Sequence, residues 1–402
     1  MDLLDFSLYN VLSISSHPST GIPTSKKINN SYPKVALYNK IYPTIYKKEC
    51  LISIETTALN ICIISKIINI LHAEHRLNEP DCNYIVGHMH LLLEYQIHYC
   101  IENANPHHMH ISELAALMEA CLYILKLLKL DIPIEGITMN KMLTWFQKLK
   151  SSLTKSIKRG GCSIYELSCA ARALYSFNKN TTRYEQDEVI TIILLELIER
   201  RNSLGLLHIS PLDRRIAPIS HHFFVMETLL KGYSQVQLDN IYEEAFELFN
   251  RIYRSYYDYN SGYFSFQKGP NIRYTAEDLG LIISALNILA TWADGENNQT
   301  KSLINKNSYM SIIASFMEEH DKIIYGLEYI VTHSNRKYPI FPSRLTIKPP
   351  YPTINWIESR GKDLKAILHL CNRLLDIYEI KDNHNTSSHM DVFAELLLRI
   401  LG

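Results

Sequence analysis

Glu199-Arg200-Arg201-Asn202-Ser203-Leu204-Gly205-Leu206-Leu207, followed by a loop and an apolar-periodic segment from Ser220 to Tyr233, decides how this chain folds. Its outline returns in Tyr257-Asp258-Tyr259-Asn260-Ser261-Gly262-Tyr263-Phe264, which leads to a second such segment from Thr275 to Ala290. In each copy a helix ends at a polar turn with Asn-Ser and Gly, two hydrophobic residues follow, and a new helix starts after a loop. Gly326-Leu327 opens a third copy. The glycines are 57 and 64 residues apart, the length of one helical hairpin with its connections. A hairpin buries its apolar face only against neighbours, so a repeated hairpin stacks into a solenoid or closes into a ring. About eleven or twelve helical segments along the chain favour the ring.

Outward from this repeat, apolar residues recur at spacings of three and four from residue 50 onward. Leu114, Leu117, Met118, Cys121, Leu122, Leu125 and Leu128 form one stripe, and Val189, Ile192, Ile193, Leu195 and Leu197 another. Such stripes are the packed faces of amphipathic helices. Ser163-x-x-Glu166, Thr275-x-x-Asp278 and Ser388-x-x-Asp391 each set a hydroxyl at an N-cap and an acid three residues on. Strand signals are confined to Gly262-Tyr263-Phe264-Ser265-Phe266, a small hairpin within a loop. The expected fold is therefore all-α, an (α/α) helical-hairpin toroid or barrel forming one domain over residues 49–402. Residues 1–48, with Pro18, Pro23, Pro33 and Pro43 and no period, read as an extended N-terminal arm. A Pro-rich loop covers 332–352, where Pro339, Pro342, Pro349, Pro350 and Pro352 exclude a regular helix.

Composition narrows the function classes. Hydrophobic residues at 47% and charged residues at 20% suit a globular core. Lys plus Arg equals Asp plus Glu at 41 each, so no global field draws the chain to nucleic acid. The basic run Lys148, Lys150, Lys155, Lys158 and Arg159 has no interleaved aromatics and reads as a solvated helix face. The apolar stretch Leu51–Leu71 is interrupted by Glu55, Asn60, Ser65, Lys66 and Asn69, which argues against a membrane span. Without a basic-then-apolar leader the expected location is cytoplasmic, with signal-peptide-independent export as the alternative. Eight scattered cysteines with no C-x-x-C pair are expected to be reduced.

Residues Ser220 to Gln235, then Tyr242-Glu243-Glu244-Ala245-Phe246-Glu247-Leu248-Phe249 and the Gly262 turn, resemble the six-hairpin (α/α)6 toroid proteins, glycosidases and sugar 2-epimerases among them. The resemblance covers about residues 190 to 295 as a pattern of helix faces and turns, without a catalytic signature. It implies a carbohydrate-active enzyme, a glycoside hydrolase or an epimerase-like protein, with its site in a central funnel lined by the starts of inner helices. There the catalytic candidates are Glu277, Asp278, His221, His222 and Glu358. A carboxylate pair serves glycosidic hydrolysis, and an imidazole pair serves epimerisation by proton abstraction. Candidates for holding the sugar are Asp213, Arg215, Tyr274, Trp356 and Arg360. Several have a plainer reading beside them: Asp278 a capping acid, Glu277 a first-turn acid favoured by the helix dipole, Asp213 with Arg215 a surface ion pair, and Trp356 to Arg360 an ordinary helix start.

No cofactor is called for, since Gly-rich phosphate loops and the nucleophile elbow are absent. No metal is assigned either: His72, His75, His88, His90, His98, Cys100, His107, His108 and His110 follow no zinc-ligand spacing. A carbohydrate or other small molecule is the expected partner. The competing function is a non-catalytic helical scaffold, effector-like, that binds another protein.

Overall fold

The computed structural model describes residues 25–26, 53–73, 80–180, 188–233, 241–258, 263–265, 272–294, 344–347, 354–356 and 362–382. Ten helices lie among them: α1 (Ile54–Ala73), α2 (Pro80–Asn103), α3 (Ile111–Lys129), α4 (Met139–Lys158), α5 (Ile164–Asn180), α6 (Glu188–Glu199), α7 (Ile219–Tyr233), α8 (Ile241–Tyr256), α9 (Ala276–Asp294) and α10 (Leu364–Asp382). Six of these close a ring. α1 packs on α3, α3 on α5, α5 on α7, α7 on α9, α9 on α10, and α10 back on α1. Outside them, α2 lies against α1, α4 against α3, α6 against α5 and α7, and α8 against α7.

The two layers differ in sequence for a physical reason. An outer helix buries one face, and α8 does so with Ile241, Tyr242, Ala245, Phe246, Leu248, Phe249 and Ile252 while Glu243 and Glu247 stay exposed. An inner helix is covered on nearly all sides, and α1 is buried from Glu55 through Ile68, polar residues included. By length and hydropathy α1 is apolar enough to cross a bilayer, yet it is an inner staple of the ring, with Lys66 at its centre in an ion pair with Asp376.

The helix starts follow the capping logic of the sequence. Ser163 and Glu166 cap α5 reciprocally, Ser163 N–H donating to the Glu166 carboxylate at 2.8 Å and Glu166 N–H to Ser163 Oγ at 3.2 Å. Thr275 and Asp278 repeat this on α9 at 2.9 and 3.0 Å. Gly205 takes φ +77, and Asn202 Oδ1 accepts the N–H groups of Leu204 and Leu206, so the Asn-Ser-Leu-Gly turn is built by its side chain as well as its glycine. Gly262, Gly326 and the Ser388 cap lie outside the described residues.

Strand is more frequent than the sequence suggests. β1 (Ser25–Lys26) pairs antiparallel with β7 (Lys362–Asp363), which runs straight into α10. β2 (Tyr257–Asp258) and β3 (Tyr263–Phe264) make the expected small hairpin. β4 (Ile272–Thr275), β5 (Arg344–Ile347) and β6 (Ile354–Trp356) form a three-stranded antiparallel sheet, and β4 leads directly into α9. β5 falls inside the Pro-rich stretch. Proline there excludes helix, but Arg344 to Ile347 stands between prolines and pairs on both sides without needing one in the ladder.

Candidate functional site in the ring

Each inner helix contributes its first turns to one mouth. The residue just inside each start is Glu55, Ser112, Tyr165, Ser220, Glu277 or Lys365, and before the first five stand Ile54, Ile111, Ile164, Ile219 and Ala276, which pack in or against the core. The Tyr165 hydroxyl donates to Glu277 Oε1 at 2.6 Å and lies 3.5 Å from His369 Nε2. His369 Nε2 is 3.8 Å from Glu277 and 4.0 Å from Glu55, and Glu55 is paired with Lys365 at 2.9 Å. His221 packs against Tyr165 with ring centroids 4.9 Å apart and the planes tilted by 34°, and its Nδ1 has no hydrogen-bond partner among the described residues.

Burial sets the electrostatics. It pushes the Glu55 carboxyl up, partly offset by Lys365. It pushes His369 well down, helped by Lys365, Arg373 and Arg172, and it pushes His221 down against the pull of Glu277 and Asp278. Both imidazoles are thus held in the neutral form at pH 7, each with one ring nitrogen unprotonated. The Tyr165 phenol is raised far above its usual value by burial and neighbouring anions, so it stays a hydrogen-bond donor.

Below this mouth the ring is closed by a buried ionic floor. Arg172 donates from Nε to Glu119 at 2.7 Å and from Nη2 to Asp376 at 2.6 Å. Lys66 Nζ reaches Asp376 and donates to Asn372 Oδ1 at 2.6 Å. Arg373 Nη1 donates to both oxygens of Glu227 at 2.8 Å, and Lys231 donates to Glu227 at 2.6 Å. Between mouth and floor lies a narrow cleft that encloses about 30 Å³, lined by Glu55, Tyr165, Phe224, His369, Arg172 and Arg373 among others.

The sequence candidates separate. Glu277 and His221 stand beside the mouth, both against Tyr165, and neither lines the cleft. Asp278 follows Glu277, its carboxylate accepting from Thr275 N–H, Thr275 Oγ1 and Ser220 Oγ. His222 is turned into the core: its Nδ1–H donates to Pro218 O at 2.9 Å, and its Nε2 accepts from Leu207 N–H at 3.0 Å. Tyr274 is buried and donates to the Phe264 carbonyl. Asp213 and Arg215 pair with each other at 2.6 Å on an exposed loop. Trp356 is the last residue of β6, its backbone paired with Leu345. Glu358 and Arg360 lie outside the described residues. Among the described residues no three metal-ligating side chains converge.

Sequence reasoning passed over Glu55, Tyr165, Lys365, His369, Arg172 and Arg373. A signal for the first three exists: each stands two residues past the cap of an inner helix, as Glu277 does past Thr275, with an apolar residue between.

Six inner helices in a closed ring, each paired where described with an outer one and all starting at one mouth, decide the architecture. The fold is the (α/α) toroid. No family model and no curated protein sequence matches the chain. Solved toroids do. A D-mannose isomerase superimposes with TM-score 0.59 at 11% identity, over 95% of this chain and 97% of that one. An alpha-1,6-mannanase from Salegentibacter sp. HEL1_6 gives TM-score 0.55 at 10% identity, over 93% and 97%. An unsaturated glucuronyl hydrolase from Streptococcus agalactiae gives 0.52 at 9%, over 94% and 90%. At such identities the likeness is one of toroid architecture.

Proposed function

We propose that this protein is a carbohydrate-active enzyme that works on a single sugar unit in the mouth of the toroid, by proton transfer of the isomerase or epimerase type. One observation carries the reading: two imidazoles from different inner helices, His221 and His369, flank the Tyr165 ring and hydroxyl and are held neutral by burial. Abstraction of a proton next to a sugar carbonyl needs a neutral base within reach of that carbon, and a second group to return the proton. His369 fits the first role and His221 the second. The Tyr165 hydroxyl and Glu277 fit the task of orienting sugar hydroxyls. The cleft ends on a floor of ion pairs, which leaves no path for a threaded polymer. Toroids with this architecture include the D-mannose isomerase and the mannanase named above, which agrees with sugar chemistry at such a mouth.

Hydrolysis is a second reading with an observation of its own. Glu55 has a raised carboxyl, and Glu55 and Glu277 both lie near His369 Nε2, so the two carboxylates are no more than about 8 Å apart, close enough to act as a pair on one glycosidic bond.

The test is incubation with a panel of aldoses and ketoses in D2O, followed by NMR. Deuterium entering the carbon next to the carbonyl, abolished in His369→Gln, supports proton transfer. Release of new reducing ends from oligosaccharides, abolished in Glu277→Gln with no deuterium incorporation, would replace that reading with hydrolysis. Neither signal from folded protein would sink both.

A further inference from the structure

We infer that Glu55, anchored by Lys365, is the positioning residue for His369, the counter-ion that its imidazolium meets on taking the sugar's proton. The inference rests on the proton-transfer reading above and deepens it by naming the residue through which the base works.

The need for such a group comes from the surroundings of His369. Taking a proton from the carbon next to a sugar carbonyl puts a positive charge on the imidazole and leaves the electron pair on the sugar as an enediolate, with no further reactant. Burial opposes that charge, and so do Lys365 and Arg373 on α10 itself and Arg172 on α5. A base among three cations holds a proton only if an anion faces the nitrogen that receives it.

Two carboxylates face His369 Nε2 from helices packed on α10: Glu277 of α9 at 3.8 Å and Glu55 of α1 at 4.0 Å. They are not equivalent. Glu277 Oε1, the oxygen near His369, already accepts the Tyr165 hydroxyl at 2.6 Å, and Glu277 does not line the cleft. Glu55 lines it together with His369 and Tyr165 and is 7% exposed. Its two oxygens have separate tasks. Oε2 is 2.9 Å from Lys365 Nζ, while Oε1 is the one near His369 and accepts no hydrogen bond among the described residues.

Lys365 and His369 are one helical turn apart, so a single carboxylate reaching over from α1 spans both. Lys365 thus fixes Glu55 by one oxygen, works against the burial that raises its carboxyl, and leaves the other oxygen for the imidazolium. The remaining charged and titratable groups nearby have other places. Glu113 acts on Glu55 from α3, Glu119 and Cys169 line the cleft, and Lys66 is paired with Asp376 in the floor. β1, which packs on α10, carries Lys26.

The test follows deuterium entry from D2O into the panel of aldoses and ketoses between pH 4 and 9, with the full chain and three variants checked for folding by circular dichroism. His369 and Glu55 take up their first proton as a pair, and exchange is lost on the acid side as they do. Glu55→Gln removes the anion, so the imidazole binds a proton less readily: the rate should fall about tenfold or more, and the acid limb should move to lower pH by about one pH unit. Glu55→Asp should restore part of the rate. Lys365→Met removes a cation beside both groups, so its acid limb should move the other way, to higher pH; this variant carries the test if Glu55→Gln does not fold. An acid limb unmoved in folded Glu55→Gln, even with a lower rate, or one that moves the same way in both variants, overturns the inference and leaves the proton-transfer reading standing. Failure of that reading shows elsewhere: wild-type protein that puts deuterium into no sugar removes it, and this inference with it.

Discussion

Glu227→Gln is the most informative perturbation of the ring itself. Glu227 lies in the third turn of α7, 1% exposed, and accepts from Arg373 on α10 and Lys231 on its own helix. Burial alone would raise its carboxyl, but Arg373, Lys231 and Arg172 outweigh that and bring it down to about 2 from an ordinary 4.5. A shift of that size corresponds to about 3 kcal/mol of stability at neutral pH. Because the folded value is depressed, the contribution is complete above pH 4.5 and fades as pH falls towards 2. Glutamine keeps the shape and removes the charge, leaving Arg373 buried without its counter-ion, a change that costs about 3–5 kcal/mol. At about 2.1 cal/mol/K of unfolding entropy per residue over a chain of this length, that is a fall in Tm of about 4–6 °C. Calorimetric melts of wild type and variant at pH 7, 5, 4 and 3 check it. The gap between the two should be widest at pH 7 and narrow below pH 4.5, where the wild-type glutamate begins to take up its proton. A gap under about 1 °C at pH 7, or one that stays constant down to pH 3, would refute the reasoning that Glu227 is held as a stabilising anion.

Three other outcomes follow from single contacts. Tyr165→Phe removes the hydroxyl that donates to Glu277 at 2.6 Å; turnover in the D2O assay should fall about tenfold or more while the circular dichroism spectrum is unchanged. Gly232→Ala would set a methyl group 2.5 Å from Tyr175 Oη and 2.9 Å from Leu194, between α5, α6 and α7, so urea melts should show a loss of about 1–3 kcal/mol. His222 is held down to about 4 by burial, so the unfolded chain takes its proton near pH 6.5 and the folded one only near 4; stability should drop across that window, and His222→Phe should flatten the drop while lowering stability at pH 7, because Leu207 N–H loses its acceptor.

How much was legible differs between fold and site. The spacing of Leu114 to Leu128 and of Val189 to Leu197 predicts α3 and α6, and the Ser163 and Thr275 caps fall at the starts of α5 and α9. Those are local signals, carried by a period and by hydrogen bonds three residues apart. The sheet was not legible in the same way. β4 and β5 pair Ile272 with Ile347, 75 residues away, and a strand of four residues has too short a period to stand out. At the mouth, Glu277 and His221 were found because their helix starts belong to the quoted repeat. Glu55, Tyr165 and His369 were missed because their own segments read as ordinary core helices. Glu55 and Lys66 look in sequence like polar breaks in an apolar stretch, and become a mouth residue and a floor residue only when α10 is laid alongside.

By itself, then, the sequence determined that this chain is made of capped helices in repeated hairpins, and so that it must stack or close, since helix period, caps and turns are properties of neighbours along the chain. Only the tertiary structure decided which residues share a cavity. Lys66 meets Asp376 across 310 residues, and Tyr165 meets Glu277 across 112. No local pattern encodes such pairings. Closing the ring brings together the first turns of helices far apart in sequence, and burial there sets which groups are neutral and which are charged.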